Sequence, residues 1–225
     1  MKKLIVTRAD ENIKEMTDIT HPILKRYAEK CEADFHIISE NKGLHPHFRI
    51  MQLYELFEEY DRIACIDSDT LILNWCPNLF KVVPVHKIAS IFEDKGSRQK
   101  DRRNRIKKVQ DQRENLGWTE GYINSGVILF SKMHRDLFKD KENLWMDLGY
   151  DDVELCYRIH KKGYEIQELP CEWNFMSMFT ESWSNKRKID AYILHYAGQA
   201  FHPQIDRTQQ IKQDYYILKK YGLLI

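Results

Sequence analysis

Short apolar runs alternate with amphipathic segments along the first third of this chain, and that alternation limits the fold more than any other feature. LIV (Leu4–Val6), FHIIS (Phe35–Ser39) and RIACI (Arg62–Ile66) have the length and apolar character of strands covered on both faces. Between them, HPILKRYAEKCE places Ile23, Leu24 and Tyr27 on one helical face, with Thr20 predicted as N-cap and Pro22 in the first turn. FRIMQLYELFEEY likewise spaces Ile50, Leu53 or Tyr54, and Phe57 for a helix. Strand, helix, strand, helix, strand is the pattern of a mostly parallel sheet with right-handed crossovers and flanking helices. Further strands are predicted at KIASIF, YINSGVILF, YEIQEL and YILHY. Helices are predicted at DVELCYRIHKK, stopped by Gly163, and from Asp206 to Tyr221. The fold class is α/β and Rossmann-like, and 225 residues suit a single domain with one core.

Composition narrows the partners. A net charge of +1 supplies no global field for nucleic acid or membrane. EDKGSRQKDRRNRIKKVQDQREN, around residues 95–113, is locally basic, with nine basic residues against five acidic. It lacks regularly interleaved aromatics, so it reads as a solvated face, a lid or an acceptor element before a nucleic-acid site. Five cysteines form an odd set with no C-x-x-C pair, the usage of a reducing compartment. The apolar run in MKKLIVTRADEN is too short for a signal peptide or a membrane span, so a cytoplasmic location is expected. Apolar residues along the last helix (Ile211, Tyr215, Leu218) are expected to pack on the sheet, with peripheral membrane contact as the lesser expectation.

The third strand ends in a chemical problem. RIACIDSDTLIL places Asp67 and Asp69 one residue apart at the strand's exit, where open α/β sheets bind ligands. Two close carboxylates repel unless a proton or cation lies between them, and hard divalent ions do this well. The residues alone leave two readings, a solvated turn or a cation site. A haloacid-dehalogenase-type phosphatase would need Thr two places after the second acid, but Thr70 comes one place early and Leu71 fills that slot.

Four further segments, in order, resemble the GT-A glycosyltransferases, and in particular the retaining family that includes glycogenin and bacterial lipopolysaccharide galactosyltransferases. LIVTRADEN resembles that family's first strand and uridine-contacting loop, which implies nucleoside contacts for Thr7, Asp10 and Asn12. Arg49 matches an arginine used against the donor, and Ser68 lies within the D-x-D itself. GYINSGVILF resembles the strand that sets Asn124 and Ser125 beside the donor sugar. HYAG resembles H-[FY]-x-G, which implies His195 as third metal ligand after Asp67 and Asp69, with Gly198 beside the diphosphate. One imidazole and two carboxylates suit manganese, with magnesium as the alternative. The family's diphosphate-binding lysine after this segment is absent, and His202 or a basic-stretch residue is expected to replace it. The Asn-Ser-Gly form and HYAG also resemble related galactosyl and xylosyltransferases of the yeast and plant Golgi.

Asp151 and Asp152 begin a predicted helix, where N-capping is the plain reading. The resemblance instead makes them the acidic block facing the anomeric carbon, followed by an L-P-x-x-[WY]-N turn at Leu169, Pro170, Trp173 and Asn174. Asp151 stands where that family often has Gln. What the resemblance implies is a metal-dependent transferase moving sugar from a UDP-sugar to a hydroxyl acceptor (glycan, glycolipid or glycoprotein), with retention. Its nucleotide-binding part would span about residues 1–92, its acceptor and catalytic part about 116–203, and a C-terminal helix 206–221. The alternatives are a nucleotidyltransferase, which would need a glycine-rich loop that RADENIKEM lacks, and a non-catalytic nucleotide-sugar-binding module.

Overall fold

The computed structural model describes residues 1–198 and 206–225, without the side chains of residues 177–179 and 181. In chain order the elements are β1 (Lys3–Arg8), α1 (Lys14–Cys31), β2 (Asp34–Ile38), α2 (Leu53–Leu56), β3 (Arg62–Ile66), β4 (Thr70–Ile72) and α3 (Leu79–Val82). There follow β5 (Ile88–Phe92), α4 (Gln99–Gln112), β6 (Ile123–Ser131), α5 (Tyr150–Lys162), β7 (Ile166–Glu168), α6 (Ser177–Ser184), β8 (Ile193–His195) and α7 (Arg207–Lys220).

Six strands form the central sheet in the order β2-β1-β3-β6-β5-β7. β1 runs parallel to β2 and β3, and β7 parallel to β5, whereas β6 is antiparallel to both β3 and β5. The apolar runs are continuous because the sheet is covered on both sides. Leu4, Val6, Ile63 and Cys65 face one core with α5 residues, while Ile5, Ala64 and Ile66 face a second core with α1. This is the α/β layout expected. A separate two-stranded antiparallel ladder joins β4 to β8 with Thr70 opposite His195.

Three local expectations are corrected. The first helix begins at Lys14, not after Thr20, because the Asp10 side chain caps a 3-10 turn (Glu11–Ile13) that runs straight into it. Thr20 is buried inside α1 and donates back to the Met16 carbonyl at 3.4 Å. The FRIMQLYELF segment is mainly a 3-10 helix (Pro46–Gln52) followed by the single turn of α2. Gly149, at φ +93°, is the N-cap of α5, so neither Asp151 nor Asp152 caps the helix. Gly163 ends α5 as expected, at φ +68° with its N–H on the His160 and Ile159 carbonyls.

The basic stretch is a helix, α4, whose charges are largely spent on the body of the protein. Arg98 and Arg102 pair with Glu93, Arg103 with Asp94 and Glu120, Lys108 with Asp147, and Arg113 with Glu154. No helix of the described residues is long and apolar enough to cross a membrane. The five thiols are free.

Candidate functional site

Register brings the distant residues together. β4 starts immediately after Asp69 and pairs with β8, so the backbone N–H of Tyr196 donates to the Asp69 carbonyl at 2.9 Å. His195 ends β8 with its Nε2 3.3 Å from Asp69 Oδ1 and 3.8 Å from Asp67 Oδ2. Ligand atoms of Asp67, Asp69 and His195 all lie within 4.8 Å of one another.

The imidazole is oriented from behind. Asn174 donates its amide to Asn124 Oδ1 at 2.8 Å, which leaves Asn174 Oδ1 to accept from His195 Nδ1 at 2.7 Å. Nδ1 therefore carries a proton, and Nε2 is the nitrogen turned to the two carboxylates, the one that a metal ion would take from them. Gly126 makes room for the ring: a Cβ there would lie 2.3 Å from His195 Cε1. That contact explains the glycine of the NSG run, whose Asn124 side chain also accepts from the Gly126 N–H at 2.9 Å.

Two arginines that the sequence reading did not single out hold the outer oxygens of the aspartates. Arg8 donates to Asp67 Oδ1 at 2.6 Å and to Asp151 Oδ2 at 2.5 Å, so one buried guanidinium links the D-x-D to the first turn of α5. Arg207, the first residue of α7, pairs with Asp69 Oδ2. Burial alone would raise the Asp69 pKa, but His195 and Arg207 outweigh it and hold the carboxyl well below its usual range. The inner oxygens, Asp67 Oδ2 and Asp69 Oδ1, are the ones turned to His195. Two carboxylate oxygens and one imidazole nitrogen, presented inward and fixed from outside, form a donor set that fits a divalent cation such as manganese.

The acids of α5 have opposite environments. Burial raises the Asp151 pKa, but Arg8 and His47, whose Nδ1 lies 3.4 Å away, overcome it and keep the carboxyl below its ordinary value. Desolvation and the charge of Asp151 push Asp152 up to about 6. Asp152 Oδ1 accepts the Ser125 N–H at 2.7 Å, and Ser125 Oγ donates to Asp151 Oδ2 at 2.9 Å, so the NSG strand anchors both.

The other predicted residues line or brace the adjoining cleft, about 360 Å³ in volume, whose wall includes Arg8, Asp10, Asn12, Arg49, Ser68 and Arg207. Arg49 pairs with Asp10 and donates to Asn41 Oδ1 at 2.6 Å. Buried Thr7 is 2.8 Å from Ser68 Oγ, which donates to the Arg8 carbonyl at 2.9 Å and ties the ends of β1 and β3 together. Gly198 has a left-handed φ of +74° and lies just past the His195 strand. His202 lies outside the described residues. Asn174 was legible as part of the L-P-x-x-W-N turn but not as the support of His195. Nothing in the sequence around Arg8 or Arg207 points across the 59 to 143 residues to their partners.

Similar folds carry known transferases. The chain aligns over 95% of its length with the whole of a glycosyltransferase involved in glycosylation of the major capsid protein of PBCV-1, at 15% identity and a TM-score of 0.62. Galactosyltransferase LgtC, solved with donor and acceptor sugar analogues, matches 97% of this chain and 95% of its own at 16% identity and a TM-score of 0.64. Mouse xyloside xylosyltransferase 1 matches 89% of this chain and 98% of its own at 13% identity and a TM-score of 0.53. At these identities the likeness speaks for the GT-A fold. No curated protein sequence matches the chain. The sequence profile of glycosyl transferase family 8, however, matches residues 5–201, nearly the full length, and the chain belongs to that family.

Proposed function

We propose that this protein transfers a sugar from a UDP-sugar to a hydroxyl of a glycan, glycolipid or glycoprotein, with a divalent cation and with retention at the anomeric carbon. The observation that carries the reading is the convergence of Asp67, Asp69 and an Asn174-oriented His195 at the head of the Asp10–Arg49 cleft. Asp67, Asp69 and His195 would hold manganese or magnesium. When bound, the ion supplies Lewis-acid stabilisation of charge on the departing diphosphate. Asp10 and Asn12 would read the nucleoside, with Arg49 fixing Asp10, while Thr7 and Ser68 set the loop that meets the ribose. Asn124 and Ser125 would flank the donor sugar, and Gly198 and His202 the diphosphate. In this assignment residues 1–92 serve the nucleotide and 116–203 the sugar and acceptor.

Asp151 would face the anomeric centre. A carboxylate that Arg8 and His47 keep ionised is a weak base, and it offers a fixed negative charge to an oxocarbenium-like centre. With retention, as membership of the family suggests, the departing phosphate can take the acceptor's proton on the same face, and no strong base is needed. Asp152, holding the Ser125 N–H, would position the NSG strand and add to the acidic block.

The test is incubation with a panel of UDP-sugars, with manganese or with chelator. Manganese-dependent UDP release from at least one donor is expected. Tight UDP-sugar binding with no release under any metal would indicate a binding module instead.

A further inference from the structure

The two arginines on the aspartates are not equivalent. Arg8 is clamped between Asp67 and Asp151, with its side chain only 9% exposed, and the same two acids stabilise its charge. Arg207 stands on the cleft wall with its side chain 30% exposed, and its guanidinium pairs with Asp69 Oδ2. The helix that carries it is anchored independently of that pair. The Asp206 side chain caps α7 by accepting the Thr208 N–H at 2.9 Å, Ile211 is fully buried, and Lys212 pairs with Glu15 of α1. The side chain can therefore change partner while its backbone stays fixed.

We infer that Arg207 is a resident counter-charge on Asp69 that opposes a divalent cation arriving alone and turns to the donor's diphosphate once the cation has taken over Asp69. The inference rests on the donor-site reading above. Asp67 and Asp69 contribute two negative charges; Arg207 offsets that of Asp69, while Arg8 divides its charge between Asp67 and Asp151. A dication entering this set meets an Asp69 already paired with a guanidinium, which repels it and competes for the ligand, so its binding without an anion is weakened. With the cation in place the site carries surplus positive charge, which a nucleoside diphosphate neutralises. The planar fork of Arg207 suits phosphate oxygens as well as it suits a carboxylate. Metal and nucleotide thus assist each other through one side chain, a coupling that must be reciprocal.

The experiment is titration of wild type, Arg207→Ala and Arg207→Lys with Mn2+ alone, by electron paramagnetic resonance of the free ion, and with UDP at saturating Mn2+, by calorimetry. Removing the guanidinium should move the two affinities in opposite directions. Arg207→Ala should bind Mn2+ alone more tightly, by roughly threefold to tenfold, and UDP more weakly, by about tenfold or more. Arg207→Lys should fall between, since it keeps the charge but loses the fork. A purely structural role for the Asp69 pair would weaken both. If Arg207→Ala binds Mn2+ no more tightly than wild type, or binds UDP equally well, the inference is overturned. If wild type binds neither Mn2+ nor UDP, the donor-site reading fails and this inference fails with it.

Discussion

His195 Nε2 lies 3.3 Å from Asp69 Oδ1 because β4 and β8 pair with Thr70 opposite His195. The side-chain meeting is thus written into a backbone register: the strand that leaves the D-x-D is hydrogen-bonded to the strand that delivers the histidine.

Asp69→Asn tests the ligand role directly. The substitution keeps the side-chain volume, and Arg207 opposite is partly exposed and can remain hydrated, so the fold should survive. Metal-dependent turnover should fall by at least about a hundredfold. Steady-state assays alongside circular dichroism melts check it, and unchanged turnover would remove Asp69 from the site.

Asn174→Ala removes the acceptor that fixes His195 Nδ1 and the donor to Asn124. Metal affinity should drop by about 10–100-fold, the usual cost of losing a partner behind a metal ligand. Stability should fall by about 1–3 kcal/mol, because buried polar groups are left unpaired. Manganese titration and urea unfolding read the two effects separately, and Asn174→Asp, which restores an acceptor, should recover part of the metal affinity.

Asp152 gives a pH signature. Its folded pKa is raised from the ordinary 3.8 to about 6 by desolvation and by Asp151, so the folded state holds this proton more tightly than the unfolded chain. The resulting stability is fully present below about pH 4 and is lost as pH rises through 6, a total of up to ~3 kcal/mol. Asp152→Asn, which can still accept the Ser125 N–H, should therefore be more stable than wild type at pH 8 and show little advantage at pH 4. Denaturant midpoints at the two pH values check this, and an equal difference at both would contradict the assignment.

The sequence showed the sheet where it was most buried. The runs of β1, β3 and β6 are continuous because both faces are covered, and they are visible for that reason. The start of α1 is hidden in the sequence because an aspartate cap, Asp10, acts through a 3-10 turn rather than at the head of the periodic stretch. The segment before α2 reads as a regular helix because Ile50 and Leu53, three residues apart, fit a period of 3.0 as well as 3.6. Asp67, Asp69 and His195 were readable as residue types in a known order, and the structure brings them together. Arg8 and Arg207 were not readable, because an arginine's partner is a matter of tertiary geometry and neither residue breaks a local pattern.

One cation shared by two carboxylates from the end of β3 and an imidazole from the end of β8 is the centre of the proposed chemistry. Pulsed electron paramagnetic resonance of Mn2+ bound to the protein with UDP measures this, because a coordinated imidazole nitrogen modulates the manganese echo. The expected result is a single directly bound nitrogen that disappears in His195→Gln while the protein stays folded. Manganese bound tightly with UDP and no coordinated nitrogen in the wild type would contradict it.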